Sequence, residues 1–114
     1  MSRDFNKNKV AVLTGAAKKI GRSTAIKLAE QGFNILIHTG GKSIEEAKDT
    51  IKLIEKFKIK SNYVTGDLAN LETINIIKDA ALKLGTPSVL VNNAGLRIHE
   101  HFEKIDYKDW KKVM

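Results

Sequence analysis

The 114-residue chain contains no cysteine, which excludes a disulfide framework and any thiolate metal site. No apolar run approaches the roughly 18 residues that a membrane-crossing helix requires. The opening stretch, MSRDFNKNK, lacks the hydrophobic segment of a secretory leader. Secretion and membrane insertion are therefore not expected, and the cytoplasm is the expected compartment. Aromatic residues are few, and none is interleaved with a basic cluster. The net charge of +7 is accordingly read as lysines spread over solvated faces, with no nucleic-acid partner. That surplus still favours an anionic small ligand. Internal repeats, linkers and low-complexity segments are absent too.

What is present is an alternation. The length fits one domain, and 42% hydrophobic with 29% charged residues describes an ordinary globular chain. VAVL (10–13) is a short continuous apolar run, followed by TGAAKKIG (14–21) and a helical pattern reaching about Gln31, with Gly32 in the post-helix position. FNILIH (33–38) is a second strand. Ser43, Ile44, Glu45 and Glu46 form a capping-box pattern, behind which Ile44, Ala47, Ile51 and Ile54 share one helical face. SNYVT (61–65) is a third strand, and Asn70 suits the cap of a helix whose Ile74, Ile77, Ala81 and Leu84 share a face, closed by Gly85. SVLVN (88–92) is a fourth strand, and Asp106 to Met114 begins another helix. Strands alternating with helices specify βαβ units. The expected fold class is α/β, the N-terminal half of a doubly wound Rossmann-type parallel sheet, with residues 1–8 as a tail and 9–114 as the half-domain.

A glycine turn between a strand and a helix can aim backbone N–H groups at a phosphate, aided by the helix N-terminus. In TGAAKKIG, Gly15 suits the tight turn and Gly21 the close packing of helix on strand. TGAAKKIG, GDL (66–68), NNAG (92–95) and DYKDW (106–110) together resemble the short-chain dehydrogenase/reductase family, from about Lys9 to the last residue. The departure is Lys19, which stands where that family's TGxxxGxG loop has its middle glycine. Pteridine reductases of the family carry a basic residue there, whereas NNAGL leans towards the carrier-protein ketoreductases. The resemblance implies that Gly15, Ala17, Lys18, Lys19, Ile20 and Gly21 hold the phosphates of a dinucleotide. It implies further that Asp67 and Leu68 border the adenine, and that Asn93, Ala94 and Gly95 line the wall near the adenosine ribose. Asp67 also suits a plain turn before the helix. Asn92 is expected to tie neighbouring strands through its amide.

NAD-specific members place a carboxylate at the end of the second strand, on the ribose hydroxyls. Here that place falls near Thr39, and no Asp or Glu occurs between Gly32 and Ile44. Lys18, Lys42 and Ser43 can instead receive the 2′-phosphate of NADP, although Ser43 also suits an N-cap and Lys42 a solvated surface. NADP is the expected cofactor.

The resemblance also implies an asparagine, a serine, a tyrosine and a lysine four residues beyond it as the proton-transfer groups. Tyr107 and Lys111 have the tyrosine–lysine spacing but lie only about a dozen residues past NNAG, on the helix leading to the relay asparagine. No catalytic residue is assigned. Trp110 matches the tryptophan that precedes that asparagine. His99 and His101, flanking Glu100, have poor ligand spacing and no third donor nearby, so no metal is expected. His38 suits the neighbourhood of the adenosine phosphate. The expected function is the cofactor-binding part of an NADPH-dependent oxidoreductase reducing a small carbonyl substrate, of the 3-oxoacyl-carrier-protein-reductase type. A pteridine reductase and a non-catalytic NADP-binding module are the alternatives. The resemblance implies a homo-oligomer for the full-length protein. The 114 residues alone are expected to be inactive and to associate through the apolar edge SVLVN.

Overall fold

The computed structural model describes residues 3–15, 19–41 and 43–92. Four strands alternate with three helices: β1 (Lys9–Thr14), α1 (Lys19–Glu30), β2 (Asn34–Thr39), α2 (Ile44–Ile54), β3 (Ser61–Thr65), α3 (Leu71–Leu84) and β4 (Thr86–Asn92). Short 3-10 turns occupy Arg3–Asn6 and Glu55–Phe57. Every pairing is parallel, in the order β3-β2-β1-β4.

The two inner strands are buried on both faces, which is why their centres, 10–13 and 35–37, read as unbroken apolar runs. Alternate residues serve opposite layers. Ala11, Leu13, Ile35 and Ile37 pack with Ala25 and Ala29 of α1 and with Ala47 and Ile54 of α2. Val10, Val12 and Leu36 pack with Leu68 and with Ile77 and Ala81 of α3. Arg22 pins α1 to α2, its Nε donating to Thr50 Oγ1 (2.9 Å) and its Nη2 to the Glu46 carbonyl (3.1 Å). At the amino edge of the sheet, Asn34 Nδ2 donates to the Leu84 carbonyl (2.7 Å), and its Oδ1 accepts from Lys60 N–H (3.0 Å). One side chain thereby joins the end of α3 to the start of β3.

Several boundaries differ from the sequence reading. Phe33 stays outside β2 because its N–H turns back to the Leu28 carbonyl (3.2 Å), so the strand runs one residue later and takes in Thr39. β4 starts two residues earlier, at Thr86, whose N–H donates to the Asn8 carbonyl (2.7 Å). Pro87 has no N–H to give a ladder, and the register against β1 slips beside it, from Val10↔Pro87 to Ala11↔Val89. The capping box at Ser43 does not form. With φ −117° and ψ 32°, Ser43 leaves the extended backbone that aims a cap oxygen, and its side chain makes no capping bond. Asn70, at φ −95° and ψ 125°, caps α3 as expected, its Oδ1 accepting from Glu72 N–H (2.9 Å). The helix expected over 106–114 lies outside the described residues.

Candidate functional site

Because all four strands run the same way, Thr14, Thr39, Thr65 and Asn92 end at one edge of the sheet. The turns leaving β1, β2 and β3 all open there. In open α/β sheets this carboxyl edge is where ligands bind.

Gly15 leaves β1 at φ 62°, a left-handed conformation that suits glycine, and α1 begins at Lys19. Lys19 and Ile20 are the first two residues of α1, and Gly21 is buried in its first turn. Ala17 and Lys18, between Gly15 and the helix, lie outside the described residues, as does Lys42. On β2, Thr39 is buried and its carbonyl accepts from Gly66 N–H (3.2 Å). Gly40 and Gly41 follow it with no described atom within 4 Å of where a Cβ would stand. Beyond them lies the half-buried Ser43.

On the next turn, Asp67 Oδ1 accepts from Ala69 N–H (2.9 Å) and the Asp67 carbonyl from Asn70 N–H (2.9 Å). The carboxylate is exposed and builds the turn that starts α3. Leu68 is 3% exposed and packs with Val10, Val12 and Leu36. Its side chain is core, so a ligand at this edge meets its backbone. Gly66, at φ 146°, sits so close to Thr73 that a Cβ would come within 2.6 Å of Thr73 Oγ1. Asn92 ties strands as expected: its Oδ1 accepts from Thr14 Oγ1 (3.0 Å), joining β4 to β1. Asn93, Ala94 and Gly95 lie outside the described residues, and so do His99, Glu100, His101, Tyr107, Trp110 and Lys111.

His38 has a larger part than the sequence suggested. The residue is 3% exposed, its imidazole Nε2 lies 2.8 Å from the Gly66 carbonyl, and Nδ1 accepts from Gly15 N–H at 3.4 Å. A carbonyl can only accept, so Nε2 carries the proton and donates. Burial pushes the pKa of His38 below the ordinary histidine value, against the opposing pull of the Gly66 carbonyl. The signal in the sequence was a polar ring inside the run NILIHT, where the strand core would accept an aliphatic residue. Arg22 and Thr50 had no such signal, since neither periodicity nor charge pairs them across α1 and α2.

A cleft of about 400 Å³, lined by residues such as Lys7, Asn34, Lys58 and Lys60, lies at the opposite, amino edge. It shares no residue with the carboxyl-edge turns. None of the described helices is long and apolar enough to cross a membrane. Among the described residues no cluster of three metal-ligating side chains occurs.

Residues 9–114 match the profile of a family described as short chain dehydrogenase. The chain is 35% identical over 113 residues to the 3-oxoacyl-[acyl-carrier-protein] reductase FabG of Staphylococcus epidermidis, covering 94% of this chain and 44% of that protein. It is 39% identical over 109 residues to the L-2,3-butanediol dehydrogenase of Corynebacterium glutamicum, covering 93% of this chain and 42% of that one. The chain thus spans less than half the length of these relatives. The solved structure of FolM alternative dihydrofolate reductase 1 from Brucella canis, complexed with NADP, shares the fold. Its TM-score is 0.80 at 24% identity, covering all of this chain and 52% of that one. With the parallel β3-β2-β1-β4 sheet, the glycine turn after β1 and the family match over nearly every residue, the chain belongs to the short-chain dehydrogenase family.

Proposed function

We propose that the full-length protein is an NADPH-preferring oxidoreductase acting on a small carbonyl compound, and that these residues hold the adenosine half of its cofactor. The two relatives support the chemistry: a 3-oxoacyl reductase and a 2,3-butanediol dehydrogenase both interconvert a ketone and a secondary alcohol. When bound, the dinucleotide supplies the hydride. The part of this chain is to bind and orient it, with Gly15 and the first turn of α1 at the phosphates and the backbone of Asp67 and Leu68 beside the adenine. The proton-transfer asparagine, serine, tyrosine and lysine implied by the resemblance are assigned to no residue of this chain.

The observation that carries the cofactor preference is the end of β2. The strand finishes in the buried Thr39 and opens onto Gly40 and Gly41, with no carboxylate before Glu45. A carboxylate there would bind ribose hydroxyls and repel a 2′-phosphate. Ser43, whose hydroxyl caps nothing, is available as a donor, and Lys18 and Lys42 supply positive charge.

Fluorescence titration of the full-length protein with each dinucleotide tests this reading. NADPH should bind about tenfold or more tighter than NADH, as one or two charge-assisted hydrogen bonds would give. Lys18→Glu should weaken NADPH strongly and NADH less. Equal affinities, or a preference for NADH, would overturn the proposal.

A further inference from the structure

β2 lies between β1 and β3, and His38 stands opposite Thr14 on one side and Val64 on the other. From that place a single ring reaches the first residue after β1 and the first residue after β3. We propose that His38 is a positioning residue of the cofactor site, its two ring nitrogens holding the Gly15 turn and the Gly66 turn at a fixed separation. The inference rests on the reading of the carboxyl edge as a dinucleotide site, in which those turns flank the pyrophosphate and the adenine.

The hydrogen-bonding pattern admits one form of the ring. Gly15 offers an N–H and Gly66 a carbonyl, so the ring must accept at Nδ1 and donate at Nε2. The protonated ring would set a second N–H against that of Gly15. Burial keeps the ring in the neutral form that the bridge needs. His38 follows the aliphatic core residues Leu36 and Ile37 on a strand that is buried throughout. A leucine would fill such a place without the desolvation that an imidazole undergoes. What the imidazole adds is the link between the turns. The Gly66 bond is short and the Gly15 bond long, so the ring is anchored on the adenine side and restrains the phosphate turn from there.

Three variants of the full-length protein, titrated with NADPH and with NADH, test this. His38→Leu removes both bonds at similar volume. His38→Gln keeps a donor that reaches Gly66, and His38→Asn keeps an acceptor for Gly15. The dissociation constants of both dinucleotides should rise by about tenfold in His38→Leu and by about threefold in His38→Gln and in His38→Asn, as loss of one or two neutral hydrogen bonds would give. The rise should be equal for the two dinucleotides, because the bridge serves the parts they share. Melting of the unliganded protein separates a purely structural role. If His38→Leu melts lower but its folded fraction binds as the wild type does, the proposal is overturned. Should His38→Leu fail to fold, His38→Gln decides alone, and wild-type affinity in that variant overturns the proposal. Should the wild type bind neither dinucleotide, the reading of the site falls and the inference with it. Should the wild type bind and every variant bind equally, only the role of His38 falls.

Discussion

A neutral imidazole enclosed between two backbone groups makes folding sensitive to protons in one direction. Unfolded, His38 has the ordinary histidine pKa of 6.5; folded, its pKa is lower because desolvation outweighs the Gly66 carbonyl. Between those two values the unfolded chain binds more protons than the folded one. The contribution is therefore fully present above 6.5 and is lost as the pH falls through the folded value. Denaturant melts of the full-length protein between about pH 8 and pH 5 should show stability falling on the acid side, and His38→Gln should flatten that fall. Parallel curves for the two proteins would assign the titration to another group. Single residues were unevenly legible in the sequence. Asn70 announced its cap because the bond is local, two residues away along the chain. Ser43 misled for the complementary reason: the pattern was present, but the backbone reached the helix at an angle that aims the hydroxyl elsewhere. Asp67 and Leu68 were placed beside the adenine by resemblance. The structure adds that the carboxylate of Asp67 is engaged in its own turn and that the side chain of Leu68 belongs to the core.

At the scale of elements, each strand is legible wherever its own residues decide it. VAVL and ILI (35–37) are apolar throughout because both faces are covered, and the helices show their buried stripes at Ala47 and Ile54 and at Ile74, Ile77 and Ala81. Ends are decided elsewhere. Thr86 joins β4 because a carbonyl from the segment before β1 waits for its N–H, which no pattern within residues 86–92 could report. The turn between β3 and α3 has its own requirement. Gly66 combines a φ of 146° with Thr73 pressed against the place of a Cβ. Gly66→Ala should lower stability by about 2 kcal/mol or more, from backbone strain and the clash together. Thr73→Ala in the same chain should recover the steric part alone. Urea melts of the three proteins would check this, and an unchanged midpoint in Gly66→Ala would refute the account of the turn.

For the whole molecule, alternation in the sequence was enough to establish a parallel α/β arrangement, since βαβ units with short connections leave little other choice. The pairing of β4 with β1 is a finding of the structure, because no periodicity says which strand lies beside which. That pairing has a consequence for how the chain assembles in time. Val10 meets Asn34 and Ile35 meets Ser61, partners 24 and 26 positions apart, whereas Thr14 bonds Asn92 across 78. Closing the longer span costs about 1 kcal/mol more entropy, before any contact across it returns stability. β1, β2 and β3 should therefore form first, with α1 and α2 over them, and β4 should dock last on the far side of β1. Pulse-labelled hydrogen exchange during refolding of the full-length protein would show it: amides of β2 protected early, those of β4 late. Simultaneous protection would mean that the sheet condenses in a single step. In the expected order, the edge of β1 that β4 will cover stands open during refolding, and misassembly between chains would begin at that edge.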